Sequence, residues 1–144
     1  MSKNINHQVN ADQDYPLGTK RPELVKTPTN KSLDNITLEK VLAGEVKDED
    51  LRITEETLDY QAEIAEQKGR DQFGKNLKRA GELTQIPDDR ILEIYNSLRP
   101  NRSTKKELLE IAEELENEYN AEINAKLIRE AAEVYEKRNK LKSK

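Results

Sequence analysis

From Thr104 to near the end of the chain, apolar residues return every three or four positions. Leu108, Ile111, Ala112, Leu115 and Tyr119 make one stripe, and Ile123, Leu127, Ile128, Ala131, Val134 and Tyr135 continue it. That period belongs to an α-helix with one face turned inward, whereas a strand would alternate every second residue. Thr104 and Glu107 open the stretch with a capping-box signature, in which each side chain accepts from the other's backbone N–H. Asn117 and Asn120 stand where a break would fall, so the stretch reads as one long helix or two. The spacing slips from strict heptads, which argues for packed helices over a long coiled coil.

Similar signals recur upstream. Thr37 is a candidate cap for a short helix carrying Leu38, Val41 and Leu42, which Gly44 ends. Thr54, Glu55 and Glu56 open a helix with Leu58, Ala62 and Ala65 at helical spacing and Gly69 as its stop. The next runs from about Asp71 to Leu83 with Phe73, Leu77 and Ala80 on one face. Gly74 and Gly81 interrupt it, each costing about 1 kcal/mol relative to Ala. Pro87, Asp88 and Asp89 start another, which presents Ile91, Leu92, Ile94, Tyr95 and Leu98 until Pro100 closes it. There is no β-alternation and no internal repeat. The predicted class is all-α: a compact helical domain over 37–144 with an extended, proline-spaced N-terminal arm.

That arm covers 14–36. Pro16, Pro22 and Pro28 each remove a backbone donor and bias the preceding residue toward extended geometry. Tyr15, Leu17, Leu24 and Val25 sit among them. Two readings stand: a disordered leader, or an arm lying along another surface, which would use those apolar residues. Residues 1–13 are polar and aperiodic and read as a mobile leader.

The core is thin. Leu, Ile, Val and Phe make only 32 of 144 residues, with one Phe and no Trp, while 38% of the chain is charged. This lies just above the roughly 20% at which disorder sets in, and a net charge of -4 is too small to force it. A partner can complete such a core. Net charge runs +2 over 1–31, -8 over 32–66 and +2 over 67–144. No segment concentrates the positive charge that nucleic acid needs. No window approaches the ~18 apolar residues of a membrane span, and the first residues lack a signal-peptide core, so the expected location is cytoplasmic.

Chemistry is sparse. With no cysteine, disulfides, thiol nucleophiles and cysteine metal sites are excluded. The single histidine, His7, lies in the leader and reads as solvated. The acid pairs Asp88/Asp89, Glu55/Glu56 and Asp48/Asp50 fall at helix starts, where capping and the helix dipole account for them. A general acid would need a carboxyl desolvated among apolar groups. Ser103 and Thr104 read as caps, and the five scattered glycines form no phosphate loop. The basic tail Lys137, Arg138, Lys140, Lys142 and Lys144 reads as a frayed helix end. Arg99 and Arg102, around Pro100 and Asn101, are either part of a solvated turn or contacts to a partner carboxylate. From the residues alone this is a helical interaction protein, with no catalytic, cofactor-binding or metal site.

Several blocks carry a resemblance to a known family. They are Asp14-Tyr15-Pro16-Leu17-Gly18, Lys20-Arg21-Pro22, Thr27-Pro28, Leu51-Arg52-Ile53-Thr54, Thr57-Leu58 and Gln61-Ala62-Glu63-Ile64-Ala65-Glu66. The most specific is Ile86-Pro87-Asp88-Asp89-Arg90-Ile91-Leu92-Glu93-Ile94-Tyr95-Asn96, followed by Leu98-Arg99-Pro100 and by Arg129-Glu130-Ala131-Ala132-Glu133-Val134-Tyr135. Over about 14–141 the chain resembles the small (gamma) subunit of adenosylcobalamin-dependent propanediol and glycerol dehydratases. The resemblance implies a heterohexamer with two copies each of a large, a medium and a small chain. The large chain is a TIM barrel holding substrate and metal ion, and adenosylcobalamin lies between the large and medium chains. The small chain packs outside the large one, so no catalytic residue carries over. Tyr15, Pro16, Leu17 and Pro22 are the expected contacts to the large chain, with Arg99 and Arg102 as further interface candidates. Propane-1,2-diol is the expected substrate and glycerol the second choice, with a bacterial microcompartment as a possible setting. Gly74 and Gly81 depart from the better helix formers usual in the family. The competing reading is a free-standing helical adaptor that binds through the stripe from Leu108 to Tyr135.

Overall fold

A computed structural model of the chain describes residues 8–143. It divides into two compact units, the first ending at Gly81 and the second beginning at Glu82. The described residues hold eight α-helices and three short 3-10 turns, in keeping with an all-α class.

In the first unit, Asn10 caps α1 (Ala11–Asp14), its side-chain oxygen accepting from the N–H groups of Asp12 and Gln13. Of the leader expected over 1–13, only 8–13 are described. Residues 1–7, His7 among them, lie outside the described residues, but 8–13 are tied down. Glu63 accepts from the backbone N–H of Gln8 at 3.0 Å and of Val9 at 3.3 Å. Gln67 accepts from Ala11 N–H at 2.9 Å and donates to the Val9 carbonyl at 2.7 Å. Polarity misled here, because the polar backbone is what the two side chains hold, while Val9 and Ala11 are buried.

The arm is more turned than a continuous extended strand. After the cis Tyr15–Pro16 peptide come α2 (Leu17–Lys20) and a 3-10 turn at Pro22–Leu24. A single antiparallel bridge pairs Lys26 with Ser32 around Asn30, whose φ is 65°. Proline explains this placement, since its fixed φ suits the first residue of a helical turn as well as an extended one. A 3-10 turn at Leu33–Asn35 leads to α3 (Leu38–Leu42), capped by Thr37, and Gly44 follows at φ 77°.

Helix α4 (Glu55–Gln67) is capped by Thr54, which accepts from Thr57 N–H at 3.2 Å. It ends in a Schellman turn: Arg70 N–H reaches Ala65 O at 2.9 Å, Gly69 N–H reaches Glu66 O at 3.0 Å, and Gly69 takes φ 71°. Tyr60 and Ile64 of α4 form the core with Val9, Ala11 and Leu17, and Leu24 and Val25 pack at its edge. Helix α5 (Asp71–Leu83) then carries the chain across the division. Its glycines have a packing role. A Cβ on Gly74 would stand 2.6 Å from Glu66 Cγ and 3.2 Å from the Ala62 carbonyl oxygen, and one on Gly81 would stand 3.3 Å from Glu55 Cγ. The propensity lost at Gly74 therefore accompanies an approach to α4 that alanine would block.

The second unit consists of the end of α5 with α6 (Asp88–Ser97), α7 (Lys105–Tyr119) and α8 (Glu122–Lys137). The long apolar stretch is two helices, because Asn120 adopts a left-handed φ of 51° and Ala121 N–H turns back to Leu115 O at 2.8 Å. Leu108, Leu115 and Ile128 fill the core between α7 and α8. Ala112, Ala121, Ala125 and Ala132 are wholly buried there, so small side chains let the helices close. The capping box is formed, with Glu107 N–H to Thr104 Oγ1 at 3.2 Å and Thr104 N–H to Glu107 at 2.7 Å.

Helix α8 has no capping side chain of its own. The buried carboxylate of Glu82 takes that role, accepting from the backbone N–H of Ile123 and of Asn124 at 2.9 Å each and from the Asn124 amide at 2.7 Å. Nor is the basic tail frayed over its described residues to 142. Asn101 N–H donates to Lys140 O at 2.7 Å and Lys142 N–H to Ser103 O at 2.8 Å, with Leu141 packed against the core. Tyr135 OH donates to Leu98 O at 2.5 Å in the same corner.

Replacing Glu82 by Ala removes the acceptor of two buried donors and one part-buried donor, so the variant is expected to be less stable by about 2–3 kcal/mol. In urea this would appear as a lower midpoint at unchanged slope. A midpoint equal to wild type would show that the cap carries no such weight.

Candidate interaction surfaces

The acidic pairs of the sequence are structural where the fold places them. Asp88 and Asp89 lie in the first turn of α6 and Glu55 and Glu56 in the first turn of α4, where negative charge meets the helix's positive end. Asp50 is different. Its side chain is fully buried and accepts from Lys31 Nζ at 2.6 Å, from Lys47 N–H at 2.9 Å and from Thr29 Oγ1. The Lys31 hydrogen bond, with those of Lys47 and Thr29, holds its carboxyl well below the usual range. That is the reverse of what a general acid needs. Ser103 Oγ donates to Ser97 O at 2.7 Å, and Thr104 is occupied as a cap. Among the described residues, no group of three or more His, Cys, Asp or Glu is placed to hold a metal ion, and no helix is long and apolar enough to cross a membrane.

Arg90–Glu114 is an ion pair with packing consequences. Arg90 Nε donates to Glu114 Oε1 at 2.8 Å, Nη2 donates to Oε2, and Nη1 reaches Glu93 at 2.8 Å. The bidentate bond to Glu114 raises the Arg90 pKa and lowers that of Glu114, so both stay charged and α6 is clamped to α7.

What remains is surface, and it exposes several large apolar side chains. On α3, Leu38 and Leu42 are 73% and 80% exposed, with Val41 beside them. Leu51 and Ile53 are also exposed in the following segment. These residues stand on a rigid base, because Lys31 bridges the Glu45 carbonyl and Asp50 while Lys40 donates to Asn35. On α6 the outward face shows Leu92 and Tyr95, while Ile94 is buried and Ile91 and Leu98 pack at the core's edge.

The expected interface residues separate. Tyr15, Pro16 and Pro22 are exposed, but Leu17 is 1% exposed and belongs to this chain's own core with Tyr60 and Ile64, so it supports the surface from beneath. Arg99 and Arg102 are exposed in the loop between α6 and α7, which the tail braces from 140–142. The stripe on which an adaptor would bind is used up internally at Leu108, Ile111, Leu115 and Ile128, which are buried, while Ile123, Leu127 and Val134 stay exposed. The exposure of α3 was missed from sequence. Its signal, Leu38, Val41 and Leu42 on one face of a five-residue helix, does not say whether this chain or a partner covers that face.

A chain with closed cores, capped helices and large apolar side chains left outside belongs to the class of helical assembly subunits. Residues 10–142 match the family described as the dehydratase small subunit. The propanediol dehydratase small subunits of Citrobacter freundii and of Salmonella typhimurium are each 61% identical to it over 129 residues, covering 90% of this chain and 75% of the relative. The chain belongs to the dehydratase small-subunit family.

The Asp50 network gives a signed pH dependence. Its carboxyl has a folded pKa below the ordinary 3.8, so its stabilisation is complete above that value and is lost as pH falls through the lower folded value. Asp50→Asn is therefore expected to lower the denaturation midpoint at neutral pH. The gap to wild type should narrow on acidification below 3.8. A gap that stays constant or widens with acid would contradict the network.

Proposed function

We propose that this chain is the small structural subunit of an adenosylcobalamin-dependent diol dehydratase that turns propane-1,2-diol into propanal and water, with glycerol as the second candidate substrate. The observation that carries the proposal is 61% identity, over 90% of the chain, to subunits whose names specify propanediol dehydratase. The exposed apolar residues of α3 and α6 and the rim formed by Tyr15, Pro16 and Pro22 support it, because subunit assembly gives them something to cover them. Its partners in this reading are a large and a medium chain, two copies of each chain per complex, in the cytoplasm or inside a bacterial microcompartment.

The cofactor is assigned to the other chains, as the resemblance to the dehydratase small subunit implies. When bound there it supplies an organic radical, and the proteins position and shield it. This chain's part is surface: Tyr15, Pro16 and Pro22 above the buried Leu17, and Arg99 and Arg102 on their braced loop, are the proposed contacts.

Diol dehydration by the candidate large and medium chains with adenosylcobalamin, run with and without this chain, tests the reading. Propanal formation that depends on this chain is expected. Equal rates without it, together with no copurification, would overturn the subunit assignment.

A further inference from the structure

The sequence has one phenylalanine, and the fold leaves it outside. Phe73 is 53% exposed and Tyr15 59%, and both line one groove of about 400 Å3. Ile64 and Ala65 of α4, both buried, supply its floor, and Lys68 and Arg70 line it as well. All the charge on this wall is positive. Lys68 is already ion-paired with Asp12, which leaves Arg70 as the main recognition group. Its backbone is held, because the Schellman turn sets its N–H on Ala65 O at 2.9 Å. Phe73 follows three residues later, in the first turn of α5.

We propose that this groove is the socket for a segment of another dehydratase subunit that carries an aliphatic or aromatic side chain next to a carboxylate. The apolar side chain seats between Tyr15 and Phe73, and the carboxylate meets the guanidinium of Arg70. This rests on the small-subunit reading and deepens it by giving the partner's chemistry at one place. Three considerations choose this occupant. Aromatic residues in a partly formed pocket, with an arginine at the edge, have the composition of an interface hot spot. A guanidinium on a fixed backbone recognises a carboxylate through two parallel bonds. A second copy of this chain would bring the same patch against itself in a two-fold contact, setting Arg70 and Lys68 against their own like charges. Two cations, one of them paired, are too few for nucleic acid or a lipid surface.

The test measures binding of this chain to the assembled large and medium subunits at several salt concentrations. Arg70→Glu and Phe73→Ser are each expected to weaken binding by about tenfold or more. Arg70→Glu should also flatten the salt dependence, since the attraction it removes is screened by ions. Arg70→Lys and Phe73→Leu, which keep the charge and the apolar bulk, are expected to retain most of the affinity and guard against a folding artefact. If wild type binds and both disruptive variants bind as tightly, the socket is wrong while the subunit reading survives. If wild type does not bind at all, both fall. A wild-type homodimer broken by Phe73→Ser, with heterologous binding unchanged, would give the groove to a second copy and overturn the proposal.

Discussion

Helix α8 has sixteen residues and starts at a position that no local side chain caps, so its first N–H groups depend on a carboxylate some forty residues away in sequence. Glu82 fills that place with three bonds, and it is buried, so water cannot replace it. The arrangement fixes where α8 begins against the end of α5. The position of α8 sets the alanine seam with α7, because side chains as small as Ala125 and Ala132 gain from close approach only if the register is right. Arg90 then clamps α6 to α7 through Glu114, and the tail at 140–142 closes the loop that holds Arg99 and Arg102. In this unit a few polar anchors do what a larger apolar core would do in a richer sequence.

The first unit uses the same economy. Glu63 and Gln67 clasp the backbone of 8–11, and Asp50 gathers Lys31, Lys47 and Thr29 into one buried node. Tyr60, whose hydroxyl donates to Glu56 at 2.7 Å and whose pKa is thereby pushed up to about 12, stays neutral inside the small cluster around Leu17. Polar anchoring leaves apolar side chains unspent. Fully burying a Leu or Phe is worth about 1.5–3 kcal/mol, so Leu38, Leu42 and Phe73 hold substantial energy in reserve for a partner. The thin core and the exposed face are two consequences of one distribution of residues.

Local signals were the legible ones. The helix from Asp71 to Leu83, the Thr104–Glu107 box and the Gly69 stop appear where the sequence places them, because each depends on residues within a turn or two. The family resemblance read from blocks such as Ile86 to Asn96 agrees with the match over 10–142. Long-range partners were not legible. Nothing near residue 9 announces Gln67, and nothing near Ala121 announces Glu82. Gly74 looked like a plain cost until Glu66 and Ala62 were seen against it. Leu17 looked like a contact residue because burial within the chain and burial against a partner leave the same apolar mark in sequence. On α6, five apolar positions in little more than two turns exceed what one face can bury, and only the fold decides that Leu92 and Tyr95 stay outside.

The central claim is that this chain exists to be covered by larger partners. Native mass spectrometry of the three co-expressed chains addresses it most directly. The account expects one species in which this chain is present in equal number with the large and medium chains, and little of it unbound. A complex of the other two chains that forms without it, with this chain running separately as a stable monomer or homodimer, would contradict the account.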